Sequence, residues 1–317
     1  MRTNVSMRSS RWLANLLLSG LLSSASVLAD SQAAGETMLP APTNPVRLQK
    51  GPLAIAVDTR VGGRITELSF DNHNLLTPAG GDNNNFGSTF WLSPQTLWNW
   101  PPVVEHDSAP YQLTARDDDS LHLQGNPGAG ARVSKSVSVL GDHHARVSYR
   151  VTAEKHFEEV AAWEITRVPS RGIAFAPVNT DSVEIVRGSM KYLQDASGVL
   201  WLPMQDGTQH QEGKLIANGR EGWLGYAADN MLYLKVYPTV SEEQMASGEG
   251  DIELYLSGVK PYLELEVQSA AQALPPGAAL DWSVDWLLFR IPKDVEVQSG
   301  STSLLAFVRE QVAARTR

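Results

Sequence analysis

The chain has 317 residues, no cysteine, and 42% hydrophobic against 19% charged residues, so a mostly disordered polypeptide is excluded and one large core is affordable. With 26 basic and 35 acidic residues the net charge is −9, which makes nucleic acid and anionic membrane surfaces poor partners. The missing cysteines exclude disulfide scaffolds, thiolate zinc sites, a thiol nucleophile and a lipidated N-terminal cysteine.

Arg2, Arg8 and Arg11 precede an uncharged stretch, Trp12 to Ala29, that holds Leu16, Leu17, Leu18, Leu21 and Leu22 and ends Val27-Leu28-Ala29. A positive start, a short apolar run and small residues at −3 and −1 predict a secretory signal peptide, cut after Ala29. Ser19, Gly20, Ser23, Ser24 and Ser26 make the run too polar for an uncleaved anchor. The expected product is an exported protein, periplasmic or secreted, with a net charge of −12 and no membrane segment. Residues 30–46, rich in Ala, Pro, Thr and Ser, read as a flexible leader, and residues 47–317 as a single domain.

Strand signals then dominate. Val133, Lys135, Val137 and Val139 alternate with serines, and after Gly141-Asp142-His143-His144 the residues Val147, Tyr149 and Val151 alternate with Arg146, Ser148 and Arg150. That pattern predicts a hairpin with one buried face, its two histidines at a solvated tip. Further alternation covers Leu232–Tyr237, Ile252–Ser257, Tyr262–Gln268 and Trp282–Leu288, with turn residues such as Asn218-Gly219 and Pro275-Pro276-Gly277 between runs. Helical spacing is confined to Ser303–Ala314, with one capped turn at Ser241–Ala246. Many short antiparallel strands without a linker predict an all-β sandwich with a short C-terminal helix.

Four segments carry candidate chemistry. Residues 83–102 set Phe86, Phe90, Trp91, Trp98 and Trp100 among Asn, Gln, Ser and Pro, which predicts a loop rather than a helix or central strand. Trp98 and Trp100 are candidate sugar platforms, because a pyranose C–H face packs on an indole; the alternative is that they plug the core. In Tyr262–Gln268 the two-residue period puts Tyr262, Glu264, Glu266 and Gln268 on one face, a hydroxyl-binding or proton-accepting pair of carboxylates, or else a solvated face. Trp163, Ile165 and Arg167 share a face, where Arg167 beside Trp163 can hold an oxygen-rich ligand. Lys235, between Tyr233 and Tyr237, either snorkels or binds ligand. The seven histidines form no metal spacing, Asp117-Asp118-Asp119 reads as a solvated turn, and no cofactor fingerprint occurs, so no metal and no cofactor are expected.

Val61-Gly62-Gly63-Arg64-Ile65, followed by Asn74-Leu75-Leu76, resembles the opening of the galactose mutarotase-like β-supersandwich. The blocks Phe90–Gln95 with Trp98 and Trp100, Trp163–Arg167, Gly222–Tyr226 leading into Tyr233–Tyr237, Tyr262–Glu266 and Leu274–Gly277 follow in order. Together they are similar to a bacterial family of unknown function in that superfamily, across roughly residues 47–290. The resemblance implies a sugar-sized groove with carbohydrate as partner, to which Arg64 is added as a contact. It also implies that Glu266, in Glu266-Val267-Gln268, lies where aldose 1-epimerases carry their general base. The histidine-bearing strand that supplies the acid in those enzymes has no counterpart, and Trp163–Arg167 stands in its place. The leading expectation is therefore an exported carbohydrate-binding protein that uses Trp98, Trp100, Trp163, Arg167, Lys235, Glu264 and Arg64. The alternatives are an aldose epimerase or other carbohydrate-active enzyme with Glu266 as base, and an envelope interaction protein with a vestigial groove.

Overall fold

Alternating aliphatics pair into antiparallel ladders throughout the computed structural model, which describes residues 44–80, 85–205 and 211–315. The expected signal peptide, most of the leader and His210 lie outside the described residues. Among those described, the first sheet runs in the order Val46–Lys50, Leu53–Asp58, Arg64–Phe70, Ser88–Ser93, Phe157–Pro169, Tyr262–Gln268, Ile252–Leu256, Gly213–Ala217, Glu184–Gly188. The second runs Leu193–Gln194, Val199–Met204, Gly172–Pro177, Trp223–Ala228, Met231–Val236, Ala279–Arg290, His144–Ala153, Ala131–Gly141, Ser120–Gln124, Gln112–Arg116. The two sheets bury one main core, to which Leu68, Phe90, Leu254, Leu265, Val147, Leu224 and Trp286 belong.

The serine-alternating hairpin forms as its pattern predicts, with Val137 opposite Val147. Its tip is more engaged than a solvated turn: His143 stacks on Phe70 and Phe289, and His144 Nε2 lies 2.9 Å from Asp285 Oδ1. The helix Thr302–Ala314 starts at Ser301, whose side chain accepts from the Leu304 amide. Leu304, Leu305 and Val308 cover the outer face of the second sheet, against Phe175, Trp201 and Trp223. Ser241 and Gln244 close a capping box on the short turn Glu242–Gln244.

That helix changes the reading of Met231–Val236. With Leu232 and Leu234 packed under it, Tyr233 and Lys235 face the inter-sheet core, and all six residues of the strand are buried. Lys235 therefore does not snorkel. Its ammonium donates to Leu265 O at 2.6 Å and pairs with Glu164 Oε1 at 3.1 Å, and burial pulls its pKa down. Glu164 also accepts from Tyr149 (2.7 Å) and Trp286 (3.0 Å), a polar knot between the sheets.

The aromatic segment also departs from expectation. Ser88–Ser93 is a fully buried central strand, paired with Phe157–Pro169 from Ala161↔Ser93 to Thr166↔Ser88. Pro94 follows the strand rather than interrupting it, which is why proline did not exclude a central position. Gly62 fits only as glycine: its φ is +67°, and a Cβ would sit 2.0 Å from Asp107 O. Gly62→Ala is expected to cost about 2–4 kcal/mol, from left-handed strain and overpacking together. Urea denaturation checks this, and a loss below about 0.5 kcal/mol would mean that the turn relaxes freely.

Candidate functional site

In an antiparallel sheet, residues directly opposite one another share a face. On the first sheet, register therefore carries the face of Arg167 across to Glu264, then Tyr255, Lys214 and Arg187. A parallel row runs Thr89, Ile165, Glu266, Glu253, and a third runs Trp91, Trp163, Gln268. The opposite face, with Leu263, Leu265 and Leu254, belongs to the main core, so these three rows look away from the second sheet.

The first row floors a cleft of about 360 Å³, within the range of about 300–1,000 Å³ usual for small-molecule sites. Trp91, Trp100, Gln95 and Asn85 wall one side; Arg167, Glu264, Tyr262, Tyr255, Lys214 and Arg187 supply the rest. A second cleft of about 370 Å³, bounded by Val178–Ser182, Asn218, Arg220 and Glu242, has no aromatic wall.

Trp91 is set by a chain of contacts that begins at Arg64. The Arg64 guanidinium is fully buried, donates to Asp107 O at 2.9 Å and pairs with Asp107 Oδ1 at 3.1 Å. Asp107 Oδ1 in turn accepts from Trp91 Nε1 (2.9 Å) and Thr89 Oγ1 (3.0 Å). Burial lowers the Arg64 pKa to about 10 against the pull of Asp107. Arg64 thus stands behind the aromatic wall rather than in it. Trp98 packs against Trp91 at 5.6 Å and donates its indole N–H to Leu92 O, whereas Trp100 is 69% exposed at the cleft mouth. Trp163 is fully buried, edge-on to Trp91 at 5.4 Å and beneath Lys214 Nζ at 4.7 Å.

Arg167 Nε donates to Glu264 Oε1 at 2.8 Å, and the pair is almost wholly buried. Burial raises the Glu264 pKa, with Arg167 opposing the shift. Lys214 clasps two carboxylates behind the cleft surface, Glu253 Oε2 at 2.5 Å and Glu266 Oε2 at 3.3 Å. Gln268 donates to the other Glu253 oxygen at 2.6 Å. Burial raises both glutamates to about 7, with Lys214 pulling the other way. No group of metal-ligating residues occurs among the described residues.

Of the residues singled out from sequence, Trp100, Arg167 and Glu264 meet in the cleft wall. Glu266, Trp163, Trp98 and Arg64 lie behind or beside it, and Lys235 lies on the far side of the sheet, in the core. His106, on the short helix Val104–Asp107 after the aromatic segment, is buried against Ala131 O at 3.2 Å, and burial lowers its pKa. Lys214, Tyr255, Tyr262 and Arg187 complete the site. The signal for Tyr255 was its place on the polar face of an alternating strand; Lys214 and Arg187 carried no comparable local signal.

A search of functionally curated proteins returned no sequence match. Solved structures agree in fold. An aldose 1-epimerase candidate of Escherichia coli K12 superposes at TM-score 0.52 with 13% identity, covering 78% of this chain and 99% of that one. A galactose mutarotase related enzyme of Lactobacillus acidophilus does so at 0.53 with 7% identity, covering 80% and 100%. An aldose epimerase homologue of Caenorhabditis elegans gives 0.50 with 9% identity, covering 78% and 99%. The fold is the galactose mutarotase-like sandwich. The family described as domain of unknown function DUF4380 matches residues 44–289, most of the chain, and this protein belongs to that family.

Proposed function

We propose that this is an exported carbohydrate-binding protein whose ligand lies in the cleft on the outer face of the first sheet. The observation that carries the reading is the joining of an aromatic wall, Trp91 and Trp100, to a cross-strand row of hydrogen-bonding side chains, Arg167, Glu264, Tyr255 and Lys214. A pyranose offers an apolar C–H face and a rim of hydroxyls, and these two surfaces answer both. The N-terminal pattern of Arg2, Arg8 and Arg11 before an apolar run and Ala29 supports export.

Binding is preferred to epimerisation on a specific ground. An epimerase needs a base and an acid on opposite sides of the ring. Glu266 has a raised pKa but sits beneath Lys214, and no histidine lines the cleft among the described residues. A calorimetric screen of the purified chain against mono- and oligosaccharides tests the reading; saturable binding is expected, and none across the panel overturns it. Trp100→Ala should weaken binding by about 1–3 kcal/mol with almost no change in stability, since the ring is mostly exposed. Trp98→Ala should instead cost stability, because its indole packs on Trp91 and caps Leu92 O. Anomeric exchange followed by NMR with any sugar that binds separates binder from enzyme.

A further inference from the structure

We infer that the sugar taken by this cleft is an acidic one, carrying a carboxylate or phosphate that seats against Lys214 and Arg187. The inference rests on the carbohydrate reading of the cleft and narrows it to a class of ligand.

A neutral sugar is held by donors and acceptors in comparable number, because each hydroxyl is both. The cleft is not built that way. Its cations, Arg167, Lys214 and Arg187, come from three strands of one sheet, whereas Glu264 is the single carboxylate in its lining among the described residues. One Glu264 oxygen already accepts from Arg167. The counter-charges of Lys214 lie beneath it, since Glu253 and Glu266 are fully buried while the Lys214 side chain keeps 18% of its surface. Arg187, with a side chain 65% exposed, shares Glu212 with the Tyr255 hydroxyl. The cleft therefore keeps the two carboxylates that balance Lys214 behind its surface, while Arg187 shares the half-exposed Glu212 at the rim.

Arg167 adds a second, independent observation. Its side chain is 2% exposed, it lines the cleft, and its Nη1 has no hydrogen-bond partner among the described residues. A buried guanidinium N–H without an acceptor is costly, and a ligand oxygen supplies one.

Spacing gives the ligand an orientation. Lys214 and Arg187 are opposite one another on neighbouring strands, and Lys214 lies three strands from Arg167. Three strand spacings are about 14 Å of backbone, which the long side chains shorten. A ring stacked at the Trp91–Trp100 end, with its hydroxyls on Arg167 and Glu264, points its far substituent at the Lys214–Arg187 pair. Carboxylate and phosphate both suit that pair, so the shared requirement is an oxyanion on a sugar.

Calorimetry of the purified chain with D-galactose, D-galacturonate, D-galactose 6-phosphate and inorganic phosphate tests this. The uronate or the sugar phosphate should bind at least on the order of tenfold more tightly than galactose, and the advantage should shrink at high salt as the charges are screened. Which of the two binds names the source of the anion. Arg187→Gln, a change at an exposed position, should remove most of the advantage. Lys214→Met should do so more strongly, and Arg187→Gln keeps the test open should that variant fail to fold. Galactose binding as tightly as the acidic sugars overturns the inference and leaves the carbohydrate reading standing. Inorganic phosphate binding as tightly as galactose 6-phosphate also overturns it, because the sugar would then contribute nothing. If no sugar of either class binds, the carbohydrate reading itself fails, and this inference with it.

Discussion

Glu164→Leu is expected to lower the unfolding free energy by about 3–5 kcal/mol, the usual result of stranding a buried charge. Glu164 and Lys235 are both fully buried, and the carboxylate is also the acceptor for the Tyr149 hydroxyl and the Trp286 indole. Without it, the ammonium keeps Leu265 O alone among these partners. Burial already lowers the Lys235 pKa, and Glu164 is the main force opposing that shift. The single variant should therefore be weakest at low pH, where Lys235 has to carry its proton. Glu164→Leu combined with Lys235→Met should recover much of the loss, since apolar replacement of a whole buried pair is often close to neutral. Urea denaturation of the three proteins, with matching slopes, reads both effects. A single-variant loss below about 1 kcal/mol would mean that water reaches the knot and that it does not hold the sheets in register.

Lys214→Met is the second large effect, and it depends on pH. Glu253 and Glu266 face each other on adjacent strands, and burial raises both to about 7. A carboxyl whose pKa is higher folded than unfolded binds more protons when folded. Its contribution is fully present below its unfolded value, about 4.5, and is lost as the pH rises through about 7. The Lys214 pKa is raised despite burial, because Glu253 and Glu266 favour its charge, so its own contribution persists until strongly alkaline pH. Removing that ammonium should cost about 3–5 kcal/mol at pH 8, where the pair is ionised, and much less at pH 5. In the parent protein, ionising each of the two carboxyls should withdraw about 3 kcal/mol between pH 4.5 and 7.5. Denaturation against Glu266→Gln isolates the share of Glu266, because the other titrating groups are common to both proteins. A difference that does not change over that window would show that the pair is hydrated and titrates normally.

The two variants probe opposite faces of one sheet. Glu164 and Glu266 lie on neighbouring strands, with Glu164 opposite Val267 and Ile165 opposite Glu266. A one-residue step along either strand therefore moves a carboxylate from the knot between the sheets to the cluster behind the cleft. The loss at Glu164 should leave the cleft chemistry unchanged in kind, whereas the loss at Lys214 should remove a ligand contact with it.

Much of this architecture is local information. Two-residue alternation marks the Ala131–Ala153 hairpin, whose strands are half-buried, and also Tyr262–Gln268 and Ile252–Leu256, which are buried on both faces but set aliphatics toward the core and polar side chains toward the cleft. The same alternation puts Arg167 with Trp163, and Glu264 with Glu266, on shared faces before any partner is known. What alternation cannot say is which face meets solvent. Lys235 looked amphipathic until a helix more than 60 residues later covered the other side of its strand and turned the lysine inward. Likewise Ser88–Ser93, polar in part and followed by proline, becomes a central strand only because Arg64–Phe70 and Phe157–Pro169 flank it. Composition and periodicity by themselves determined a mostly β chain and which residues share a strand face. Tertiary structure alone decided that Lys214 and Arg187 join Arg167 in one row and that Glu266 stands behind a cation. Cross-strand register links residues that sequence separation keeps apart, and burial, which sets their charges, exists only once both sheets have closed.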